Sequence, residues 1–170
     1  MALSDKQLSD VILRTSDGIE FPSHKIILSI RSSVFKAMFN HQDFKENQEN
    51  LVCFEDIDSN LMEHLLNYIY FGDISFDNQL ASQLISQAHK YSIVSLTEIC
   101  GQIMVNDIEL ESAAKLLYIA DSYQLSSMKK EAMLFIKYNS GVKETDGWKE
   151  FIKPNVDLME ELVFFMSSIP

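Results

Sequence analysis

Short apolar runs separated by turn residues mark the first half of the chain. Val11–Arg14 is followed by the turn-type segment Thr15–Gly18 and by a second apolar run at Ile19–Phe21. Asp-Gly between two apolar runs favours a hairpin, because glycine accepts the positive φ of a tight turn. Leu51–Phe54 is a third run of strand type, and Ile74–Phe76 is a shorter one. The pattern therefore predicts a few short strands.

Helical spacing of apolar residues appears between the strands. Ser23 is typical of a helix N-cap, and the helix that it opens has apolar positions at Ile26, Ile27 and Ile30. A second helix is predicted over Val34–Phe39. Because the strands need cover on one face, we expect these helices to pack against them.

A longer helix is predicted over Leu61–Tyr70. Ser59 is a suitable N-cap for it, and Gly72 is placed to end it, since glycine readily adopts the left-handed backbone of a C-cap. From Asn78 onward the spacing is helical almost to the end of the chain. The last helix of this series is predicted to be amphipathic and to cover Asp157–Met166.

The helical half contains an internal repeat with a period of 32 residues. Matched pairs include Ala81 with Ala113, Leu84 with Leu116, Ala88 with Ala120 and Tyr91 with Tyr123. Each copy predicts a helix that ends near the tyrosine, a tight turn and a second helix. We therefore predict two stacked helical hairpins.

Composition and charge restrict the classes of function. Apolar residues make up 46% of the sequence, and 14 Lys and Arg against 25 Asp and Glu give a net charge of −11. No Lys or Arg occurs between Lys45 and Lys90. A nucleic-acid binder needs clustered cations, so DNA or RNA binding is not expected. The acidic stretch is interpreted either as a solvated surface or as a contact face for a basic partner.

The sequence also lacks targeting features. No apolar run is long enough to cross a bilayer. The N-terminus has no basic region followed by an apolar core, as a signal peptide would. We therefore expect no membrane association and a nuclear or cytoplasmic location.

Residues that could carry catalysis or bind a metal do not form a recognisable motif. Cys53 and Cys100 lack a second Cys or a His at ligand spacing, so both are predicted to be buried small apolar residues. The four histidines are not paired at helical spacing, and His24 is assigned a structural role at a helix start. There is no phosphate-binding loop and no nucleophile elbow. We predict no enzyme activity, no metal and no cofactor.

Several longer motifs follow one another along the first part of the chain. They lie at Ser9–Leu13, Phe21–Leu28, Arg31–Phe39, Leu65–Gly72 and Ala88–Leu96. In that order they resemble motifs of the BTB/POZ family: its SDV-type strand, its F-x-x-H-K-x-x-L and R-S-x-x-F-x-x-M-F helices, and its L-x-Y-I-Y-x-G and A-x-K-Y-x-x-x-x-L segments. The resemblance implies an α+β BTB/POZ fold over residues 1–105, in which short N-terminal strands are covered by helices.

The remainder, residues 106–170, resembles the helical extension of the speckle-type POZ protein branch. Ala113–Asp121, Ala132–Ile136 and Glu144–Lys149 carry this similarity. The resemblance implies an all-helical extension of the 3-box and BACK-like type, which in that branch adds contact surface for cullin-3. The implied function is a protein–protein interaction module that docks on the cullin-3 N-terminal region as a ubiquitin ligase adaptor.

The resemblance also implies a binding site. Cullin-binding members of the family use a hydrophobic-x-Glu motif in the loop after the Met-Phe helix, and Phe44-Lys45-Glu46 is similar to it. Phe44 would be the apolar anchor and Glu46 would fix its orientation, unless Phe44 folds back onto its own domain. Tyr91 would flank this surface, and packing of Tyr91 in the core is an equal alternative.

The assembly is left open by the sequence. The family's dimer is built largely from a helix before the first strand, and only nine residues precede Asp10, so we expect a weaker homodimer or a monomer. The MATH substrate-binding domain of the speckle-type branch is not present, so the chain is either a fragment or recruits substrates by another surface. The alternative function is an oligomerisation scaffold, or a competitor that pairs with related BTB proteins, without a cullin role.

Overall fold

The computed structural model describes residues 8–168. The elements are β1 (Val11–Arg14), β2 (Glu20–Ser23), α1 (Lys25–Arg31), α2 (Ser33–Asn40), α3 (Lys45–Glu49), β3 (Leu51–Cys53), α4 (Ser59–Phe71), α5 (Asn78–Lys90), α6 (Val94–Asn106), α7 (Leu110–Ser122), α8 (Ser126–Tyr138) and α9 (Val156–Ser168). A 3-10 turn (Ser140–Glu144) and a π-helical turn (Trp148–Ile152) lie between α8 and α9. The chain divides into two compact units after Thr97, within α6. The domain boundary after residue 105 stays a prediction.

β1, β2 and β3 form one sheet in the order β2-β1-β3, with β2 antiparallel and β3 parallel to β1. The hairpin turn predicted at Asp17-Gly18 is confirmed, and Gly18 has a φ of 82°. The N–H of Gly18 donates to the carbonyl oxygen of Thr15 at 2.9 Å. Because Thr15 also bonds to Ile19, strand pairing begins one residue later than predicted, at Glu20.

The apolar positions of α1 do not mark its buried face. Ile26 and Ile30 are 67% and 74% exposed, whereas Leu28 is fully buried. The helix begins at Lys25, since β2 continues through Ser23. A helix of seven residues with apolar side chains on several sides does not reveal from its spacing which side will be covered.

His24 ties the start of α1 to α4. Its backbone N–H donates to the hydroxyl oxygen of Tyr70 at 3.0 Å, and its ring Nδ1 lies 2.9 Å from the same oxygen. Burial of this hydroxyl raises the pKa of Tyr70. His24 therefore has a structural contact here, with a partner far away in the sequence.

The limits of α4 depend on a distant contact. Asp58 rather than Ser59 is the N-cap, and its Oδ1 accepts a hydrogen bond from the N–H of Leu61 at 2.8 Å. The hydroxyl of Ser59 instead donates to Oδ2 of Asp17 at 2.6 Å, which places Ser59 in the first turn. Gly72 ends the helix with a φ of 70°, as predicted.

The strand predicted at Ile74–Phe76 does not form. This segment is irregular between α4 and α5. Oδ1 of Asp73 accepts a hydrogen bond from the N–H of Ser75 at 2.9 Å, and Asp77 then caps α5. These two side chains provide the turn and the cap that connect one helix directly to the next.

The core of the first unit combines the sheet with helices from the same unit. Its fully buried or nearly buried members include Val11, Leu13, Leu28, Phe35, Val52, Leu65, Leu66, Ile69, Leu84 and Ile93. Alternation along β1 directs Val11 and Leu13 inward and leaves Ile12 and Arg14 outside. The small sheet covered by helices confirms the predicted α+β class.

The sequence repeat is also a repeat of structure. The limits of α5 and α6 recur 32 positions later in α7 and α8. Tyr91 and Tyr123 follow the first helix of each pair, and the next residues, Ser92 and Gln124, have φ values of 51° and 56°. A 2.8 Å backbone bond closes each turn, from Ile93 to Ala88 and from Leu125 to Ala120. The helix-turn-helix predicted for each copy is confirmed.

The second unit has its own core. Its buried cluster consists of Ala113, Ala114, Leu117, Ala132, Met133, Ile136, Val142, Ile152, Leu158 and Leu162. Phe165 and Met166 are partly buried against this cluster. The apolar stripe predicted for α9 is therefore confirmed.

The two cysteines differ in exposure. Cys100 is fully buried, as predicted, and desolvation raises the pKa of its thiol to about 12. Cys53 is exposed, so its predicted burial is wrong. In β3 the inward position belongs to Val52, and the alternation of the strand turns Cys53 outward.

Candidate protein-binding surface

The segment from α2 to α3 is built by two successive caps. Ser32 has extended backbone angles, and its hydroxyl oxygen accepts a hydrogen bond from the N–H of Phe35 at 3.0 Å, which starts α2. After α2 ends at Asn40, with His41 as its C-cap, the chain turns, and Phe44 becomes the N-cap of the short helix α3. Phe44 takes part in this cap through its backbone, since its carbonyl oxygen accepts hydrogen bonds from the N–H groups of Asn47 and Gln48 at 3.1 Å.

Phe44 lies at the edge of an apolar cavity. The ring is 47% exposed, and its one described aromatic neighbour is His41, edge-on at 5.3 Å between centroids. The cavity has a volume of about 330 Å³ and is lined by Val34, Ala37, Met38, Phe44 and Glu46. We call these five residues the Phe44 cavity. A half-exposed aromatic ring beside such a cavity is typical of a contact anchor.

Glu46 supplies the charge of the Phe44 cavity. It lies in the first turn of α3 and is half-buried. Within residues 8–168, the ion pair of this helix joins Lys45 to Glu49 and does not involve Glu46. The cavity therefore combines apolar walls with one carboxylate, which suits a partner with an apolar group next to a hydrogen-bond donor.

Hydrogen bonds fix the loop that presents Phe44. Nδ2 of Asn47 donates to the carbonyl oxygen of His41 at 3.2 Å, and Nε2 of Gln48 donates to that of Gln42 at 2.9 Å. Nζ of Lys25 donates to Oδ1 of Asn47 at 2.8 Å. Because these bonds cross the loop, little conformational freedom remains to be lost when a partner binds.

Tyr91 lies elsewhere, in the core of the first unit. It is 7% exposed, and its ring is 5.0 Å from that of Phe35 and 5.3 Å from that of Phe54. Burial raises the pKa of its hydroxyl. The structure thus brings Phe44 and Glu46 together and places Tyr91 behind α2, in the packing that was the alternative for this residue.

Three residues of the cavity were not identified from the sequence. Val34, Ala37 and Met38 follow each other at spacings of three and one along α2. This places them on one side of the helix, away from the buried Phe35 and Phe39. These three residues form a second apolar stripe on α2. A helix that is buried on one side only does not require such a stripe, so its presence in the sequence could have indicated a binding surface.

The described residues form neither a metal site nor a membrane-spanning helix. Over residues 8–168, no three side chains of the His, Cys, Asp or Glu type are grouped so that they could hold a metal ion. In the same part of the chain, no helix has the length and apolar character needed to cross a membrane.

Two curated proteins are similar to most of this chain, and the name of one of them includes a POZ domain. The chain is 31% identical over 154 residues to TD and POZ domain-containing protein 4 of Mus musculus, an alignment that covers 89% of this chain and 41% of that protein. It is 32% identical over 161 residues to protein maternal effect lethal 26 of Caenorhabditis elegans, covering 94% of this chain and 40% of that protein. The chain thus spans about two fifths of the length of these relatives.

A solved structure and a family model both match this chain. The BTB domain of zebrafish PATZ1 superposes with a TM-score of 0.52 at 22% identity, covering 61% of this chain and 80% of that one. At this identity the likeness concerns the fold. The family model described as BTB/POZ domain matches residues 1–108. The chain therefore belongs to the BTB/POZ family, whose domains are protein-interaction modules.

Proposed function

We propose that this protein is an adaptor that docks on the N-terminal region of cullin-3 through the Phe44 cavity and so forms part of a ubiquitin ligase complex. The observation that carries the proposal is the geometry of Phe44 and Glu46. They stand two residues apart at the start of α3, one half-exposed and apolar, the other half-buried and charged. We place the protein in the nucleus or cytoplasm as part of this proposal.

The energetics of Phe44 favour a role as anchor. Full burial of a phenylalanine side chain contributes about 1.5–3 kcal/mol, and Phe44, which is 47% exposed, has about half of this still to contribute to an association. Aromatic anchors next to a pocket often dominate the binding energy of an interface. The adjoining Val34 and Met38 would lose further apolar surface to the same partner, since both line the cavity.

Glu46 contributes orientation. A carboxylate at the edge of an apolar contact forms its strongest hydrogen bonds with charged or N–H donors. Its half-buried position limits competition from water. We propose that Glu46 selects the direction in which the partner segment lies across α2.

The helical second unit has a supporting role in the proposal. Its helices α7, α8 and α9 share one buried cluster, so it is a folded body and not a linker. We propose that it is the 3-box and BACK-like extension of a speckle-type POZ protein and that it adds contact surface for cullin-3.

The test is a binding measurement with the purified N-terminal region of cullin-3. Phe44→Ala with Glu46→Lys is expected to weaken binding at least about a hundredfold, since an anchor and a charge are removed together. The matched control is Phe71→Ala with Glu63→Lys, which changes an exposed phenylalanine and an exposed glutamate outside the cavity. The control variant is expected to bind like the wild type.

Two results would contradict this proposal. Unchanged binding by the Phe44→Ala, Glu46→Lys variant would remove the site assignment. Absence of any cullin-3 binding by the wild type would instead favour an oligomerisation scaffold or a competitor that pairs with related BTB proteins. Thermal unfolding of both variants distinguishes a lost contact from a lost fold.

One observation supports the scaffold as the second candidate function. Ile26 and Ile30 are one helical turn apart on α1 and are 67% and 74% exposed. Such a pair of solvent-exposed isoleucines suits the contact face of a homodimer or of a complex with a related BTB protein. The family's dimer depends on a helix before the first strand. In this chain, the residues before Asp10 lie largely outside the described part. Ile26→Asp with Ile30→Asp is expected to abolish self-association in sedimentation if this face is used.

A further inference from the structure

The second unit contains a groove that the adaptor proposal does not use. The groove is open to solvent, has a volume of about 610 Å³ and lies between α7, the π-helical turn and the start of α9. The residues that matter for its chemistry are Tyr118, Glu150, Phe151, Pro154, Val156 and Asp157. We call these six residues the Tyr118 groove.

One wall of the groove is aromatic and apolar. The rings of Tyr118 and Phe151 lie 5.5 Å apart with 38° between their planes. Tyr118 is 39% exposed and Val156 is 62% exposed, so this wall faces solvent. Aromatic faces in such a position attract cations and pack against flat groups.

The charges at the groove are all of one sign. The charged residues that line it are Glu150 and Asp157, and neither takes part in an ion pair of the described residues. Lys149, next to Glu150 in the chain, is bound to Asp146 at 2.9 Å. Among residues 98–168, the groove thus offers two carboxylates that are not engaged in an ion pair.

We propose that the Tyr118 groove binds an extended segment of a partner protein that carries an arginine between small apolar residues. A guanidinium group stacks flat on aromatic rings and donates hydrogen bonds to carboxylates from a rigid planar fork, whereas a lysine ammonium has neither the flat face nor the fixed fork. The apolar neighbours would cover Val156 and Pro154. A second copy of this chain is disfavoured as the occupant, because its net charge of −11 opposes the two carboxylates.

The probe is a fluorescein-labelled heptapeptide, Gly-Ala-Val-Arg-Ala-Val-Gly, measured by fluorescence anisotropy with the full chain. Saturable binding with a Kd below about 1 mM is expected, which suits one short segment. The same peptide with Glu in place of Arg is expected not to bind. The peptide with Lys is expected to bind at least about threefold more weakly.

Charge removal on the protein provides the matched comparison. Glu150→Gln with Asp157→Asn is expected to weaken binding of the arginine peptide about tenfold or more. Glu144→Gln with Glu160→Gln removes two exposed charges of the same unit outside the groove and is expected to leave binding unchanged. Tyr118→Ala is expected to weaken binding as well; should that variant unfold, the two charge variants decide the question.

Several outcomes would overturn the proposal. These are absence of binding at several millimolar protein, equal binding of the Glu peptide, or equal binding by the Glu150→Gln, Asp157→Asn variant. Self-association that this same variant abolishes in sedimentation would assign the groove to a second copy instead. The result is independent of the cullin-3 proposal, because Phe44→Ala is expected to leave arginine-peptide binding intact.

Discussion

The ring of Phe35 stacks on the ring of Tyr91, with centroids 5.0 Å apart and 12° between the planes. The hydroxyl of Ser32, the N-cap of α2, donates a 2.5 Å hydrogen bond to the carbonyl oxygen of Tyr91. Tyr91 therefore holds α2 by its ring and by its backbone. Since α2 carries Val34 and Met38, Tyr91 acts on the Phe44 cavity through the core.

Substitution of Tyr91 separates packing from direct contact. Tyr91→Ala is expected to lower the free energy of unfolding by about 3–5 kcal/mol, because a buried aromatic ring is lost. Tyr91→Phe keeps the stacked ring and is expected to change the free energy of unfolding by less than about 1 kcal/mol. Urea unfolding followed by circular dichroism measures both.

Binding of the Tyr91→Phe variant to cullin-3 tests whether Tyr91 contacts the partner directly. The variant is expected to bind the cullin-3 N-terminal region like the wild type, if Tyr91 only positions α2. Lost binding at unchanged stability would show a direct contact through the hydroxyl. A near-neutral Tyr91→Ala would contradict the packing role.

Asp17 predicts how stability changes at low pH. Hydrogen bonds from the hydroxyls of Ser59, at 2.6 Å, and of Thr15, at 2.5 Å, lower the pKa of Asp17 to about 2. A carboxylate with a depressed folded pKa stabilises the fold above its unfolded pKa of about 3.9, and this contribution disappears as the pH falls towards about 2. Asp17→Asn is therefore expected to be less stable than the wild type at pH 7 and to lose less stability between pH 4 and pH 2.

The measurement is thermal unfolding of both proteins at pH 7, 4, 3 and 2.5. Asp43→Asn, which changes an exposed aspartate of the same unit, serves as the control and is expected to follow the wild type. Parallel curves for Asp17→Asn and wild type would show that the bonds to Thr15 and Ser59 contribute nothing.

Local signals explain what the sequence could predict. The Asp17-Gly18 turn, the Gly72 cap and the helix ends near Tyr91 and Tyr123 each depend on residues within one or two turns of each other. Phe44 and Glu46 were predicted as a pair from their resemblance to a family motif, which placed them in a loop, and the short helix α3 that follows Phe44 was not predicted.

Contacts between distant segments explain what it could not predict. The cap of α4 is Asp58 because Asp17, far away in the sequence, takes the hydroxyl of Ser59. Exposure of Ile26 and burial of Tyr91 depend on which neighbours cover them, and apolar spacing does not contain that information. Cys53 is outside for the same reason, since Val52 takes the inward side of β3.

The two cysteines are expected to react at very different rates. Cys53 is exposed, whereas Cys100 is fully buried with a pKa raised to about 12 by desolvation. Because the thiolate is the reactive form, an aromatic disulfide reagent is expected to modify one thiol rapidly in the native protein and the second after unfolding in guanidinium. Cys53→Ser is expected to remove the rapid phase. Two rapid thiols in the native protein would show that α6 opens easily.

Lys129 joins three helices of the second unit. Its Nζ donates to Oδ1 of Asp121 on α7 at 2.7 Å and to Oε2 of Glu161 on α9 at 2.5 Å, and its side chain is 19% exposed. Burial alone would lower the pKa of Lys129, but the hydrogen bonds from its ammonium group to Asp121 and Glu161 outweigh this effect and raise it. The ammonium group is therefore held in the charged form by two carboxylates.

Lys129→Met keeps most of the buried stem and removes the charge, so the packing of α8 is preserved. It is expected to lower the free energy of unfolding by about 1–2 kcal/mol, above the 0.2–1 kcal/mol typical of an exposed pair, because Lys129 is largely buried and serves two acceptors. Lys130→Met removes an exposed charge at the next position and is expected to be nearly neutral. Since salt screens the exposed carboxylates, the difference between the two variants is expected to shrink from 50 mM to 1 M NaCl. Equal stabilities of the two variants at low salt would show that the apolar side chains of α9, such as Leu158 and Leu162, hold this helix without a contribution from Lys129.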